Sequence, residues 1–433
     1  MLPILGMLGR VRIRWWIFAY MFAFAFMSYV QRSSLNVAAE RIMPALHLSK
    51  VQIGAMMWAF TVAYTLSQVP GGALGQRIGA RAAYFAVGAV AFVAIITTPL
   101  APLLLTGLAL FIVLLLAQAV LGASQGPVFP VFAGVVEAWF PVSRWSLANG
   151  LQTAGMNIGA AVTPPLIVLL ERAFGWQGAL LWIGVPTLLL ALGWVWYGRN
   201  RPREHRDVTP QELVELGELA GEVAPPLTLR RLLDVAADRD VLLLAVSYMC
   251  MNYVFYLLQN YSFLYLVEER HFTALNAGLF AALPPIGAAV GSAVGGILGD
   301  RFAKRYGARR GYRLAPLFAL PAAGVLLLLT VRFSSPYAAV AGLALAYGAV
   351  EITEGPYWAA TMRIARADTM AATGVLNTGG NLGGVVGIPI VTYFWNHSQW
   401  SAAFATGTVF ALVATGLWLL VDPDRRTGGH GPA

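Results

Sequence analysis

The sequence predicts an all-α membrane protein of twelve transmembrane helices arranged as two pseudo-symmetric six-helix bundles. Composition is the first ground for this. Of 433 residues, 58% are hydrophobic and only 11% are charged, which leaves too little polar surface to clothe a water-soluble globule. An internal repeat is the second. Gly150 to Leu166 reads GLQTAGMNIGAAVTPPL and Gly374 to Ile390, 224 positions on, reads GVLNTGGNLGGVVGIPI. Gly150/Gly374, Gly155/Gly379, Asn157/Asn381, Gly159/Gly383 and Pro165/Pro389 superpose, and the same shift lays Gly71 to Arg77 on Gly295 to Arg301. Two apolar halves related in this way are the mark of a carrier whose site lies between its repeats near the bilayer midplane. The distribution of cations is the third ground.

Taken in order, the apolar runs fall near 15–40, 51–74, 82–100, 104–138, 146–170 and 178–198, then near 240–267, 275–299, 312–331, 337–362, 371–395 and 400–421. Each can cross about 30 Å of hydrocarbon at 1.5 Å per residue. Backbone amides in lipid must be paired within their own segment, so each run is read as a helix despite its Gly and Pro. The run at 15–40 is too long for a signal-peptide core and lacks a small-residue cleavage site, so it is expected to be retained. The expected units are an N-terminal bundle 1–198, a cytoplasmic linker 199–239, a C-terminal bundle 240–422 and a cytoplasmic tail 423–433. The linker interrupts the apolar pattern with RNRPREHRD, spaced acids at Glu212, Glu215, Glu218 and Glu222, and Pro225-Pro226. One or two amphipathic turns are expected there.

Of the 29 Lys and Arg, 23 fall in the N-terminal tail, the even-numbered connections and the C-terminal tail. These are Arg10, Arg12 and Arg14; Arg77 and Arg81; Arg144; seven in 199–239; six in 301–313; Arg363 and Arg366; and Arg425 and Arg426. Arg41, Lys50, Arg172, Arg270 and Arg332 lie on the other side, and Arg32 on neither. By the positive-inside rule both termini are cytoplasmic and the number of spans is even, in the inner membrane of the cell. Topology thus explains the net charge of +9. No nucleic-acid partner is needed, and no basic stretch is interleaved with aromatics. Cys250 is the only cysteine, so disulfides and thiolate metal clusters are excluded. His271 and His397 stand at expected helix ends without metal-ligand neighbours, and no metal or cofactor is expected. No Ser-His-Asp set or phosphate-cradling loop occurs in a plausible context, so an enzyme is disfavoured.

Gly72-Ala73-Leu74-Gly75-Gln76-Arg77-Ile78-Gly79-Ala80-Arg81 resembles the G-x-x-x-D-R-x-G-x-R signature between helices 2 and 3 of the major facilitator superfamily. The second copy, Gly296 to Arg305, keeps the acid as Asp300. Within that superfamily the chain is similar to the anion:cation symporter group, which includes bacterial sugar-acid symporters and vertebrate vesicular glutamate and sialic-acid carriers. The likeness rests on Tyr29-Val30-Gln31-Arg32 with Leu35-Asn36-Val37-Ala38; Gly126-Pro127-Val128-Phe129-Pro130 before Trp139-Phe140-Pro141; Tyr64 before Gln68-Val69-Pro70-Gly71-Gly72; and Asn377 with Gly380-Asn381-Leu382-Gly383-Gly384. It spans helices 1 to 11. The group usually has an acid before the helix 1 arginine and another in helix 4, both implicated in proton coupling. Here those places hold Gln31 and Gln125, and the first signature has Gln76 for aspartate.

Arg32 lies within about 5 Å of the middle of the first helix at 1.5 Å rise per residue. An unpaired cation there costs at least about 2.5–3.5 kcal/mol, so it is expected to face a wet cavity or a partner. Its planar fork suits a carboxylate held bidentately; the alternatives are snorkelling or pairing with Glu40. Glu351 and Glu354 stand three residues apart, expected on one face of helix 10, where burial and mutual repulsion disfavour two simultaneous charges. Gln125-Gly126-Pro127 and Glu354-Gly355-Pro356 occupy equivalent places in the two halves. The expectation is that the titratable group has moved to the second half, with Glu354 as coupling acid and Glu351 assisting; a structural pair is the alternative. Asn252, Tyr256, Gln259 and Asn260 form a polar stripe on helix 7, with Tyr253 and Tyr261 beside it. The resemblance adds Tyr29, Tyr64, Trp358, Asn377 and Asn381 as residues of cavity-lining helices, though glycine neighbours favour packing roles for Asn157 and Asn381. Gly72, Gln76, Arg77, Arg81, Asp300, Arg301 and Arg305 are expected to brace an inner gate by pairing with helix ends. The expected function is secondary transport of a small organic anion such as a carboxylate or sugar acid, coupled to a cation, most simply a proton, by a monomer in the lipid bilayer. A facilitator, an anion exchanger and a transporter-like sensor are the alternatives.

Overall fold

A computed structural model describes residues 12–216, 228–272 and 280–425, of which the side chains of Asn36, Glu40 and Lys50 are excepted. Arg10, Glu218, Glu222, Pro225, Pro226, Arg426 and the start of the 275–299 run lie outside the described residues. The first half comprises α1 (Ile13–Leu46), α2 (Lys50–Ile78), α3 (Ala80–Leu100), α4 (Gly107–Gln125), α5 (Val128–Trp139) and α6 (Trp145–Tyr197). The linker carries α7 (Pro210–Leu216) and α8 (Leu229–Ala236). The second half comprises α9 (Arg239–Glu268), α10 (Leu283–Tyr306), α11 (Ala308–Arg332), α12 (Pro336–Glu351), α13 (Glu354–Ala365), α14 (Thr369–Asn396) and α15 (Trp400–Trp418).

The thirteen helices of the two halves make twelve crossings because of where the chain breaks them. Pro127 has no N–H to continue α4, and Pro356 has none to offer the carbonyl of Ile352, so α4–α5 and α12–α13 are each one span with a break inside. The 53-residue α6 turns back at Gly175, whose φ of 70° only glycine adopts without strain, and so holds two spans. Eight helical stretches among the described residues are long and apolar enough to cross a membrane; two of them, of 56 and 61 residues, are each twice the needed length. The small and amide residues of α2 and α10 dilute their hydropathy, yet they stand at the two pseudo-equivalent places. Ser49 and Gln52 start α2 with reciprocal bonds of 3.2 and 2.9 Å, which satisfy two end amides.

Large apolar side chains cover the outside, and the polar ones of the spans turn inward among a mostly apolar core. Trp58, Leu104, Phe318 and Tyr337 are 69%, 88%, 73% and 62% exposed, whereas Gln68, Ser247 and Glu351 are fully buried. The halves meet through small residues. A Cβ on Gly72 would strike the carbonyl of Met370, one on Gly150 that of Ser292, and one on Gly374 the backbone of Gln68 and Val69. Close approach of this kind is how helices associate without a hydrophobic driving force, and all three glycines lie within about two turns of a helix end, at the end of α2 and the starts of α6 and α14.

The linker is docked. Glu212 accepts from the backbone N–H groups of Ile13 and Arg14 at 3.2 and 3.1 Å and from Arg14 Nε at 3.1 Å, placing an acid on the free N-terminus of α1. Glu215 pairs with Arg12 and Arg14 at 2.5 and 2.7 Å. His205 is packed against the rings of Trp139 and Tyr197, at centroid distances of 6.0 and 4.8 Å, and burial holds its pKa below the usual histidine value.

Candidate functional site

On α1, Arg32 is partly buried near the middle of the helix, enclosed by aromatic faces. Its guanidinium carbon lies 5.5 Å from the centroid of Tyr29, 5.5 Å from that of Phe60 and 5.1 Å from that of Tyr64. Cation–π contact offsets part of the cost of removing the charge from water. Among the described side chains no carboxylate pairs with it; Glu40, its alternative partner, lies outside them. The hydroxyl of Tyr256 stands beside the guanidinium and donates to Asn381 Oδ1 at 2.9 Å. Three rings thus hold the fork in place while leaving its charge unspent.

Two adjoining cavities share Arg32, Tyr29, Phe255 and Tyr256 as walls. The larger, of about 200 Å³, extends through Leu35, Met57, Gln259 and Asn260 toward the face away from the termini. The smaller, of about 40 Å³, runs deeper, past Tyr64, Asn252, Trp358 and Asn377 to Tyr248 and Glu354. The residues expected to bind solute are therefore brought together, Gln259 in the outer compartment and Tyr64, Asn252, Trp358 and Asn377 in the deeper one. Several are fixed by partners: Tyr347 donates to Gln259 at 2.7 Å, Asn377 to Gln68 Oε1 at 2.9 Å, and Asn252 to the carbonyl of Tyr248 at 3.0 Å. Asn381, expected to serve packing, also lines the deeper cavity.

The acid pair differs from the sequence expectation. Glu351 ends α12 and Glu354 begins α13, so the two stand on opposite lips of a helix break, because Pro356 cannot continue the ladder. Glu354 faces the deeper cavity and accepts from the Tyr248 hydroxyl at 2.8 and 3.0 Å and from Trp358 Nε1 at 2.9 Å. Glu351 lines neither cavity. It turns to α6, where Asn157 donates to Oε2 at 3.2 Å, and its Oε1 has no partner. Asn157 accordingly does more than fill space, since it provides the hydrogen bond that a buried carboxyl requires.

Gln31 and Gln125, expected beside the coupling machinery, line neither cavity. Gln125 Nε2 donates to Gln31 Oε1 at 3.0 Å and Gln31 Nε2 to Thr187 at 2.8 Å, both side chains being buried. An amide ladder of this kind holds α1, α4 and α6 together and has no proton to exchange.

Toward the termini the cavity is closed by two pseudo-equivalent contacts. Asp300 on α10 accepts from the backbone N–H groups of Ser146 and Leu147, at 3.0 and 2.9 Å, at the N-terminus of α6, where the helix dipole favours an acid. In the other copy the acid has crossed the contact. Gln76 on α2 donates to Asp368 Oδ1 and to the Ala367 carbonyl, both at 2.8 Å, just before α14 begins, and Arg231 of α8 pairs with the other oxygen of Asp368 at 2.8 Å. Arg81 donates to the carbonyl of Val195 at 2.9 Å, near the end of α6. Arg77 and Arg301 do not fit the bracing role expected of them: both are exposed and make no ion pair among the described residues, because their helical register turns them outward. Arg305 is also exposed, with its guanidinium over Tyr306.

Gln76→Asp is expected to set two carboxylates against each other and loosen this closure, with Asp368→Asn in the same chain restoring it. Labelling of Met370→Cys in a Cys250→Ala background by a thiol reagent reads the opening. A several-fold faster rate in the single variant, reversed in the double, is expected; an unchanged single variant would show that the contact does not hold the gate.

Phe60, Phe255 and Tyr248 were not singled out by sequence, although signals existed. Phe60 precedes Tyr64 by one helical turn and Tyr248 precedes Asn252 by one, so each extends a stripe already recognised.

A sequence profile of the Major Facilitator Superfamily matches residues 21–371. The "Probable sulfoacetate transporter" of Cupriavidus necator is 28% identical, over 97% of this chain and 98% of its own. The "D-galactonate transporter" of Escherichia coli O6:H1 is 26% identical over 92% and 94%. With the "Probable L-galactonate transporter" of E. coli K12 the identity is 29%, but the match spans 61% of this chain and 56% of that one. Among solved structures, the chain resembles a transporter of this superfamily in the outward conformation (TM-score 0.71, 15% identity, 94% of this chain and 98% of that). It also resembles the human organic anion transporter MFSD10 (TM-score 0.66, 16% identity, 93% and 98%). At such identities the structural likeness concerns the fold.

Proposed function

This chain belongs to the Major Facilitator Superfamily, and from that premise we propose that it is a secondary active transporter of a small organic anion, moved by alternating access and coupled to protons. It is a transporter and not an enzyme. The observation that carries the substrate reading is Arg32: a guanidinium near the middle of its helix, caged by three rings, without a described carboxylate partner, at the junction of two cavities. A carboxylate entering from the outer compartment would meet the free edge of the fork and form charge-assisted bonds there. Tyr256, Asn252, Asn377 and Gln259 would bind the body of the solute, and Tyr29, Tyr64 and Trp358 its apolar faces. The names of full-length relatives, carriers of sulfoacetate and galactonate, support an acid as cargo.

Proton coupling is assigned to Glu354. It is the acid that shares a cavity with Arg32, and its Tyr248 and Trp358 donors can stabilise the charged form once a proton has left. Glu351 would assist from the opposite lip of the helix break, where Asn157 holds its carboxyl. Both termini are placed on the cytoplasmic face of the inner membrane, where the positive-inside rule puts them. The cavity described above then faces outward, with Gly72, Gln76, Arg81 and Asp300 holding the cytoplasmic side closed. The neutral Gln31–Gln125 ladder favours a second reading, a facilitator or exchanger without proton coupling. Proteoliposomes with an imposed inward proton gradient separate the two: accumulation of a carboxylate above its external concentration, collapsed by an uncoupler, is expected. Equilibration that an uncoupler leaves unchanged would establish the facilitator.

A further inference from the structure

We propose that this transporter selects singly charged carboxylates against doubly charged ones, an inference that rests on Arg32 being the anion clamp. Among the described residues, Arg32 is the one cation on the walls of either cavity and Glu354 the one acid. The remaining polar walls are neutral. In the outer compartment these include Ser33, Thr61, Gln118, Gln259 and Asn260, beside the hydroxyls of Tyr29 and Tyr256. The relatives' names include carriers of both singly and doubly charged acids, so the names do not choose between them.

The charges on the walls do choose. One guanidinium neutralises one anionic group, and its cage of three rings admits no second cation beside it. When the cavity closes for transport, a second carboxylate must give up its water and receives only neutral amides and hydroxyls in return, which compensate an ion poorly. Directed inward, that carboxylate would confront Glu354, whose charged form repels it and whose neutral form supplies no counter-charge. Directed outward, it would lie among Gln118, Gln259 and Asn260, with Gln259 already accepting from Tyr347. The outer compartment, at about 200 Å³, is also smaller than the roughly 300–1,000 Å³ of sites for drug-sized ligands, which leaves little room for accompanying water. A hydroxyl in place of the second carboxylate meets none of these penalties and can use the same amides. Glu354 thus disfavours the wrong substrate while Arg32 holds the right one, and this is how specificity is built against a close analogue.

Counterflow in proteoliposomes without a proton gradient reads this through a complete transport cycle. Three matched pairs differ only in oxidation of the terminal carbon: glycerate with tartronate, threonate with tartrate, and gluconate with glucarate. In every pair that is transported, the dianion is expected to have at least tenfold lower kcat/KM than its partner. A dianion transported as well as its partner overturns the selectivity while leaving the clamp intact. Counterflow that survives Arg32→Ala removes the clamp and this inference with it while leaving anion transport standing, and counterflow that no member of the pairs supports overturns the anion-transport reading itself. Thermal unfolding of Arg32→Ala matched to that of the parent chain shows that a loss comes from the site.

Discussion

Arg32→Ala is expected to abolish anion binding and uptake while leaving the protein folded. Removing one partner of a desolvated, hydrogen-bonded charge pair costs about 2–5 kcal/mol, which at 1.4 kcal/mol per decade is upward of roughly 30-fold in Kd. Stability should move the other way or hardly at all. The guanidinium has no described carboxylate to leave behind, and its loss relieves a charge held among Tyr29, Phe60 and Tyr64. Arg32→Lys is expected to recover only part of the affinity. An ammonium is a point charge without the fork that grips a carboxylate at two points, and it stacks less well on aromatic faces. Titration of purified protein with gluconate, compared with thermal unfolding of the same samples, checks both statements. Unchanged affinity in Arg32→Ala would leave the cavity without its expected anchor.

Much of this arrangement is legible in the sequence, for particular reasons. Hydrophobic run length fixes membrane crossings because lipid admits few backbone solutions, and the 224-residue repeat relates the halves before any coordinates are seen. Arg32 is legible because a cation in a long apolar run is costly enough to demand an explanation. Stripes at three- and four-residue spacing place Asn252, Tyr256 and Gln259 on one side of α9, and they do line the cavities. Tertiary partners are less legible. Nothing in the spacing of Glu351 and Glu354 says that the helix breaks between them, although Pro356 gives a hint. Spacing likewise does not tell that Gln31 and Gln125 bond to each other, or that Gln76 finds its missing acid on Asp368, some 292 positions away. Long-range pairs of this kind are set by how helices meet, and a single helix carries no record of its neighbour.

The same distinction between a local signal and a distant partner governs Glu354. Glu354→Gln keeps the shape of the side chain and removes the proton-exchanging group. It is expected to lose proton-driven accumulation, so that labelled anion equilibrates across the vesicle membrane instead of concentrating, while counterflow continues at a rate within a few-fold of the parent. Tyr248 donates to both oxygens of Glu354 and Trp358 to one, donors that a glutamine carbonyl can only partly satisfy. Some fall in rate is therefore expected without loss of the cycle. Tyr248→Phe should act in the same direction but less completely, since it removes one donor to the carboxylate and leaves the acid in place. Glu351→Gln should preserve accumulation if Glu351 only shapes the surroundings, because its hydrogen bond to Asn157 can be kept by an amide oxygen. Parallel measurement of accumulation and counterflow in the three variants discriminates these roles. Full accumulation in Glu354→Gln would remove Glu354 from the coupling path, and loss in Glu351→Gln alone would transfer the role to the carboxyl whose Oε1 has no partner.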